Sequence, residues 1–330
     1  ASWLNENSVE FVMMVFGSFI NYEHILDGTK EPSKRCFFFE HNRPAACSDP
    51  AKNNPYCQSE LCDYTKVVAS LRSTINKLTV PVRYIFGANE PWPGAAIEEP
   101  PEEYVEEWRH FIQPAAEELG LTLGSPTIRQ GSKAVGWFSD FAARCWSFRA
   151  DATAPCDLSK IEILQVHRYS CRASYWQKNF ATPGGTLYAE LRTAFARGPG
   201  GDDDRCPWAA SWGEWIDSLP IHVTEMSCEG EAPAPDNTGG CERISGQTGN
   251  NWGHGAVREI VDNLPNIERL CWWPFYYNNW GHANVEGGLH SRLVDGDDEL
   301  TPLGLAYLQP GVDFESQPSV DCTNKTWPPH

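Results

Sequence analysis

Two glutamates in this sequence follow directly on segments of strand-forming residues. In "RYIFGANEPWPG" an apolar run stops at Gly87, and Asn89, Glu90 and Pro91 come next. In "PIHVTEMSCEG" a second run leads into Glu225. Two carboxyl groups in one site can divide a reaction between them, since one can protonate a leaving oxygen while the other attacks the carbon. The sequence therefore raises the hypothesis of a two-carboxylate active site.

The elements that would position these glutamates alternate between short apolar segments and amphipathic ones, which predicts βα units around a parallel sheet. The predicted strands are Glu10–Phe16, Val82–Gly87, Leu121–Gly124, Ile161–Val166, Ile221–Thr224 and Leu270–Phe275. The predicted helices are Tyr64–Leu78, Pro101–Leu119, Phe138–Phe148, Leu187–Arg197 and Gly255–Asn263. In a parallel (β/α)8 TIM barrel the carboxyl ends of all strands gather on one face, so Glu90 and Glu225 would meet there.

Three irregular stretches interrupt this rhythm, and we interpret them as loop insertions on one barrel. They are Lys30–Cys62, Gly198–Pro207 and Gly230–Asn251. A domain linker is the alternative, but none of the three is long or flanked by two self-sufficient cores. We see no internal repeat and predict a single domain over residues 1–330.

Side chains near the two glutamates suit a sugar substrate. Asn89 can hydrogen-bond a sugar hydroxyl, and His167 and Tyr169 share one face of an extended segment, from which they can orient a carboxylate. Aromatic faces suit pyranose rings, and the sequence holds 14 tryptophans. We expect Trp273, or its neighbour Trp272, to form a wall of the site. Further candidates for that wall are Trp92, Trp137, Trp208, Trp212 and Trp280.

Composition excludes several other partners and points to an extracellular protein. A formal net charge of −18 argues against nucleic acid and anionic membrane surfaces, and no apolar run is long enough to cross a bilayer.

The 12 cysteines lack zinc-type spacing, so we expect them to be mostly or wholly disulfide-bonded, with Cys57–Cys62, Cys145–Cys156 and Cys228–Cys241 the easiest pairs to close. The cysteines and the N-glycosylation sequon at Asn324 together predict a secreted or cell-wall-associated glycoprotein. Any leader peptide that preceded Ala1 would have been cleaved off.

The chain carries no signature of a phosphate-binding loop or a serine nucleophile elbow, and we expect neither a cofactor nor a metal. The acidic run Asp202–Asp204 lacks calcium-loop spacing and fits an ordinary solvated loop. The sequence says nothing of the oligomeric state.

The motifs resemble those of a known family. Asn89-Glu90-Pro91 and Thr224-Glu225 are similar to the strand-end motifs of the clan A retaining glycosidases. The order "VEFVMMVFG", "IFGANEPW", "LTLGSPT", "GWFSDF", "EILQVHRYS", "IHVTEM" and "ERLCWWPF" resembles glycoside hydrolase family 128, the Asl1-like glycosyl hydrolase catalytic core. The resemblance runs from about Val9 to Phe275, apart from the cysteine-rich insertions.

This resemblance implies a (β/α)8 barrel and the hydrolysis of β-1,3-glucans by an endo-acting, retaining mechanism. Glu90 would be the acid/base and Glu225 the nucleophile, with carboxyl groups about 5 Å apart. The family expects strand material ahead of "EFVMMVFG", so the amino-terminal strand is expected to be incomplete. An alternative reading is a non-catalytic carbohydrate-binding or structural module on the same barrel, with the insertions covering the cleft. The presence of both carboxylates favours the enzyme.

Overall fold

The computed structural model describes residues 11–14, 19–21, 35–37, 63–77, 81–94, 99–170, 173–181, 185–197, 209–227, 260 and 263–272. The chain divides into two compact units. The first holds residues 1–165 with 193–212, and the second holds residues 166–192 with 213–330. Each unit is described by itself.

The first unit is an α/β structure in which helices alternate with parallel strands. Its strands are β1 (Phe11–Met14), β2 (Phe19–Asn21), β3 (Arg35–Phe37), β4 (Val82–Phe86), β5 (Thr122–Gly124) and the first part of β6 (Ile161–Tyr169). Its helices are α1 (Tyr64–Lys77), α2 (Pro101–Glu107), α3 (Gln113–Leu119) and α4 (Ser132–Ser147). β1, β4, β5 and β6 pair in this order, all in parallel, while β2 and β3 form a separate antiparallel pair.

The segment predicted as one helix over Pro101–Leu119 is interrupted by a π-helical turn at Trp108–Ile112, between α2 and α3. Pro114 accounts for the interruption, because proline lacks the N–H that would bond four residues back and its ring crowds that carbonyl. The predicted end at Gly120 is confirmed: this glycine adopts a left-handed φ of 66° at the C-cap.

Aromatic packing of α2 and the π-helical turn against α4 forms part of the core of the first unit. The Tyr104 ring lies 5.4 Å from Trp137 and 5.5 Å from Phe141, and Trp108 meets Phe141 edge-on at 5.3 Å. The Trp137 and Phe141 rings stack at 5.8 Å. The predicted disulfide Cys145–Cys156 is confirmed and ties the end of α4 to the loop before β6.

The second unit also combines helices with parallel strands. It holds the rest of β6, α5 (Ala173–Phe180), most of α6 (Thr186–Arg197) and of α7 (Ala209–Ser218), β7 (Ile221–Ser227) and β8 (Ile267–Trp272). β7 lies between β6 and β8, and β7 pairs with β8 in parallel. The amide of Asn266 donates to the Phe180 carbonyl at 2.9 Å and to the Tyr188 hydroxyl at 3.0 Å, which ties the start of β8 to α5 and α6.

The α/β class and the parallel pairing predicted from sequence are confirmed. β6 and β7 are longer than predicted, and β8 begins and ends three residues earlier. The sequence analysis did not predict α5 and α7. The full eight-stranded barrel and the single domain remain predictions. The disulfide candidates Cys57–Cys62 and Cys228–Cys241 lie outside the described residues.

Candidate functional site

Glu90 lies four residues beyond β4 in a tight backbone turn. Its φ of 51° is the only positive value at a non-glycine position among the described residues. A side chain in the left-handed region costs about 1 kcal/mol or more, so such a residue persists only where its surroundings fix it. We call residues 88–91 the Glu90 turn.

Hydrogen bonds hold the Glu90 turn on both sides. On the amino side, the Ala88 N–H donates to the Tyr104 hydroxyl at 2.7 Å, and the Ala88 carbonyl accepts from the Thr127 N–H at 3.0 Å. On the carboxyl side, the Pro91 carbonyl accepts from the Glu99 N–H at 3.0 Å. The strained residue is therefore fixed from both ends by its own unit.

The two neighbours of Glu90 that the sequence singled out are both buried. Asn89 is 9% exposed, and its Oδ1 meets no hydrogen-bond donor among the described residues. An orphaned amide oxygen at this depth costs free energy unless a ligand or water satisfies it. Trp92 is 7% exposed, so it can offer only a small part of its ring to a ligand.

Glu225 lies within β7 rather than directly after it, because the strand continues to Ser227. It is 8% exposed, and its Oε2 lies 3.4 Å from Nδ1 of His167, which is fully buried. Both residues belong to the second unit. His167 is thus within reach of this carboxylate. A carboxylate so held, with part of its surface accessible, is suited to nucleophilic attack.

The remaining predicted site residues lie wholly or partly outside the described part of the chain. Tyr169 is the last residue of β6. Its side chain, that of Trp272 and the whole of Trp273 lie outside the described part of the chain, as do Trp208 and Trp280.

Two tryptophans proposed for the sugar-binding wall belong to the core instead. Trp137 is 4% exposed, stacks on Phe141 and donates its Nε1 proton to the Glu99 carbonyl at 2.6 Å. Trp212 is 6% exposed and packs edge-on against Phe195 at 5.3 Å. The count of tryptophans could not distinguish these packing roles from ligand binding.

A buried acidic cluster beside the Glu90 turn escaped the sequence analysis. Glu99 is 3% exposed and Glu107 is fully buried. Burial, opposed by Glu107 and assisted by the charge of Glu103, raises the pKa of Glu99 to about 7. Neither oxygen of the Glu99 carboxylate has a hydrogen-bond donor among the described residues. No motif around Glu99 signals this burial.

Other kinds of site receive no support from the described residues. None of them form a cluster of three or more His, Cys, Asp or Glu side chains that could hold a metal ion. No helix in the described ranges is long and apolar enough to cross a membrane.

Cys271 in β8 carries a free thiol, whose pKa burial raises to about 11, so the cysteines are not wholly disulfide-bonded.

Glycoside hydrolases of the barrel type carry their catalytic acids at or beyond the carboxyl ends of the parallel strands of an α/β fold. Residues 52–182 match the family model described as glycosyl hydrolase catalytic core. This match confirms, at this level, the resemblance found in the sequence motifs, and it identifies the protein as a glycoside hydrolase.

Several solved structures are similar to the chain. A family 128 (subgroup II) endo-β-1,3-glucanase from Pseudomonas viridiflava is 16% identical with a TM-score of 0.44, covering 79% of this chain and 84% of that chain. The corresponding subgroup II enzyme from Sorangium cellulosum is 19% identical with a TM-score of 0.42, covering 75% and 76%. A subgroup I enzyme from Amycolatopsis mediterranei, in complex with laminaritriose, is 15% identical with a TM-score of 0.40, covering 76% and 78%. Among curated proteins, none matches the chain.

Proposed function

We propose that this glycoside hydrolase is a retaining, endo-acting enzyme of the family 128 type that cleaves β-1,3-glucan. Glu225 is the nucleophile that attacks the anomeric carbon, and Glu90 is the acid that protonates the departing glycosidic oxygen. In the second step Glu90 removes a proton from the water that hydrolyses the glycosyl-enzyme. The substrate is a polysaccharide or oligosaccharide.

The observation that carries the proposal is the pairing of Glu225 with His167. A nucleophilic carboxylate must stay ionised and point one oxygen at the anomeric carbon, and a neighbouring imidazole N–H favours the ionised form. The 3.4 Å contact between His167 Nδ1 and Glu225 Oε2 suits this role. The proposed mechanism also requires a proton donor for the departing oxygen.

Glu90 suits that second role because its backbone is strained and firmly held. Strained residues cluster at functional sites, where the strain is tolerated because it aims a reacting group. The unsatisfied Oδ1 of its neighbour Asn89 is available to accept a hydrogen bond from a sugar hydroxyl. The assignment of β-1,3-glucan as substrate rests on the order of the sequence motifs.

We also propose that the protein acts outside the cytosol, secreted or attached to a cell wall. The disulfide Cys145–Cys156 supports an oxidising compartment. Titration of thiols in the denatured, unreduced protein checks this, since many free thiols beyond Cys271 would contradict it.

Chemical rescue tests the two catalytic roles separately. With Glu225→Ala the nucleophile is lost, so added azide should occupy the cavity and give a glycosyl azide of inverted configuration. With Glu90→Ala, azide should intercept the glycosyl-enzyme formed from an activated aryl glycoside and give a product of retained configuration. Each variant should lose on the order of 10²-fold or more of the activity on laminarin.

Matched controls for this experiment are Glu162→Ala in β6 and Glu268→Ala in β8, which remove exposed strand glutamates. Both should keep near-normal activity. The same rescue product from both catalytic variants, or a Glu90→Ala variant that is fully active on laminarin, would refute the assignment.

A further inference from the structure

The Glu90 turn raises the question of what holds a strained glutamate in place. Of its three hydrogen-bonding partners named above, two act through backbone N–H groups, those of Thr127 and Glu99. Only the third bond, from the Ala88 N–H at 2.7 Å, depends on a side chain, the hydroxyl of Tyr104.

The surroundings fix the Tyr104 hydroxyl with little room to move. Tyr104 is fully buried, and its ring packs against Trp108, Trp137 and Phe141. A Cβ added at Gly87 would lie 2.5 Å from the Tyr104 oxygen, so the backbone that enters the Glu90 turn rests directly on this hydroxyl.

We propose that Tyr104 is a positioning residue that aims the Glu90 carboxyl at the glycosidic oxygen by anchoring the Ala88 N–H at the entrance to the turn. This inference rests on the proposed acid/base role of Glu90. Proton transfer requires the carboxyl within hydrogen-bond reach of the leaving oxygen, and small displacements from that geometry cost large factors in rate.

The charges and burial around the Tyr104 hydroxyl keep it in one protonation state. Burial raises the pKa of Tyr104 well above its usual range, and the nearby acids Glu99 and Glu107 raise it further, while the bond from Ala88 opposes the rise. The hydroxyl therefore stays neutral at neutral pH, where its oxygen accepts from the Ala88 N–H. A residue of this kind changes the rate without adding a titration of its own.

The test uses Tyr104→Phe, which removes the hydroxyl and keeps the ring, and compares two substrates. On laminarin, whose leaving group needs protonation, kcat/KM should fall by about 10-fold or more. On a dinitrophenyl β-laminaribioside, whose leaving group departs unprotonated, kcat/KM should fall by less than about 3-fold. The shape of the pH–rate profile should be unchanged.

Tyr188→Phe is the matched control, because it also removes a buried tyrosine hydroxyl, the partner of Asn266 in the second unit. Both variants should lose about 1–2 kcal/mol of stability. Only Tyr104→Phe should show the leaving-group dependence, and only it should speed hydrogen exchange in a peptide spanning residues 86–92.

Equal losses on both substrates, or no loss on laminarin, would overturn the inference. Rapid hydrogen exchange of the Ala88 amide in the wild-type enzyme would also overturn the inference. This measurement does not depend on the folding of any variant. If Glu90→Ala itself lacks the leaving-group dependence, the proposed function fails. If Glu90→Ala shows it and Tyr104→Phe does not, only the role of Tyr104 fails.

Discussion

At the scale of single residues, Glu90 combines an unfavourable backbone with the side chain that the proposed chemistry needs. Residues in the left-handed region are usually glycine, which has no Cβ to clash with the following carbonyl. A glutamate with φ of 51° therefore lowers the stability of the fold, while it supplies the carboxyl group that the proposed chemistry needs. The cost can be measured apart from the catalytic role.

We expect Glu90→Gly to be more stable than Glu90→Ala by about 1 kcal/mol, because only glycine relieves the left-handed strain. In an ordinary loop the order is reversed, since glycine gains more freedom in the unfolded chain. Urea unfolding of both variants checks the order. An alanine variant as stable as the glycine variant would mean that Glu90 is not strained in solution.

At the scale of elements, the segment "LTLGSPT" explains how the end of β4 is built. The Phe86 ring lies where a Cβ of Gly124 would stand, so only glycine fits there. The Ser125 hydroxyl accepts from the Gln165 N–H at 2.9 Å, and the Thr127 N–H donates to Ala88 at 3.0 Å. This segment, one of those that carry the resemblance to family 128, thus joins β4, β5 and β6 next to the Glu90 turn.

Gly87 is the second close approach in this region, and we expect Gly87→Ala to destabilise the protein by about 1–3 kcal/mol. Its new Cβ would meet the Tyr104 oxygen at 2.5 Å, the Trp108 ring at 2.9 Å and the Pro126 Cα at 3.0 Å. Activity on laminarin should fall as well, because relief of the clash displaces the Glu90 turn.

Gly136→Ala provides the control for this substitution. Gly136 lies within α4, and an added Cβ there meets nothing within 4 Å. Alanine should therefore stabilise the helix by up to about 1 kcal/mol and leave activity unchanged. Thermal melts of both variants measure the effect. Equal stabilities for the two variants would contradict the close packing at Gly87.

At the scale of the whole molecule, two buried titratable groups impose opposite pH dependences. The pKa of Glu99 rises from 4.5 to about 7, mainly through burial, so the folded state binds its proton more tightly. The stability from this group is fully present below pH 4.5 and is lost as the pH rises through about 7. The loss amounts to about 3 kcal/mol.

His222 acts in the opposite direction. Burial, followed by the charge of Arg269, lowers its pKa from 6.5 to about 4, so the unfolded state binds its proton more tightly. The stability from this group is present above pH 6.5 and is lost as the pH falls through about 4, again by about 3 kcal/mol. Glu99 belongs to the first unit and His222 to the second.

Between pH 4.5 and 6.5 the contributions of Glu99 and His222 to the free energy of unfolding change with pH in opposite directions and cancel in the wild type. We therefore expect a variant that removes one of the two groups to reveal the pH dependence of the other. Relative to wild type, Glu99→Gln should gain stability as the pH rises, and His222→Gln should gain it as the pH falls. Urea unfolding across this range measures both differences. If the chain is a single domain, both changes should shift one shared transition.

Two transitions, each responding to only one of the variants, would show that the units unfold separately and would contradict the single-domain prediction. A pH-independent difference for Glu99→Gln would mean that this carboxyl is not buried as described.

The sequence by itself determined the class of fold and the segments that carry chemistry. Alternation of apolar runs with amphipathic ones is a local pattern, so β4, β5, β6 and β7 could be predicted with small errors at their ends. The Asn89-Glu90-Pro91 and Thr224-Glu225 motifs were recognisable for the same reason. Pro114 was a local signal too, and its effect on the helix was overlooked.

Only the tertiary structure decided which polar and aromatic side chains are buried, because burial depends on residues far away in the chain. It made Trp137 and Trp212 core residues, placed Glu99 and Glu107 together and brought the Tyr104 hydroxyl to Ala88. It also gave Glu90 its left-handed backbone, which no propensity would assign to a glutamate. These features arise from contacts between separate elements, and the energy of those contacts overrides local preference.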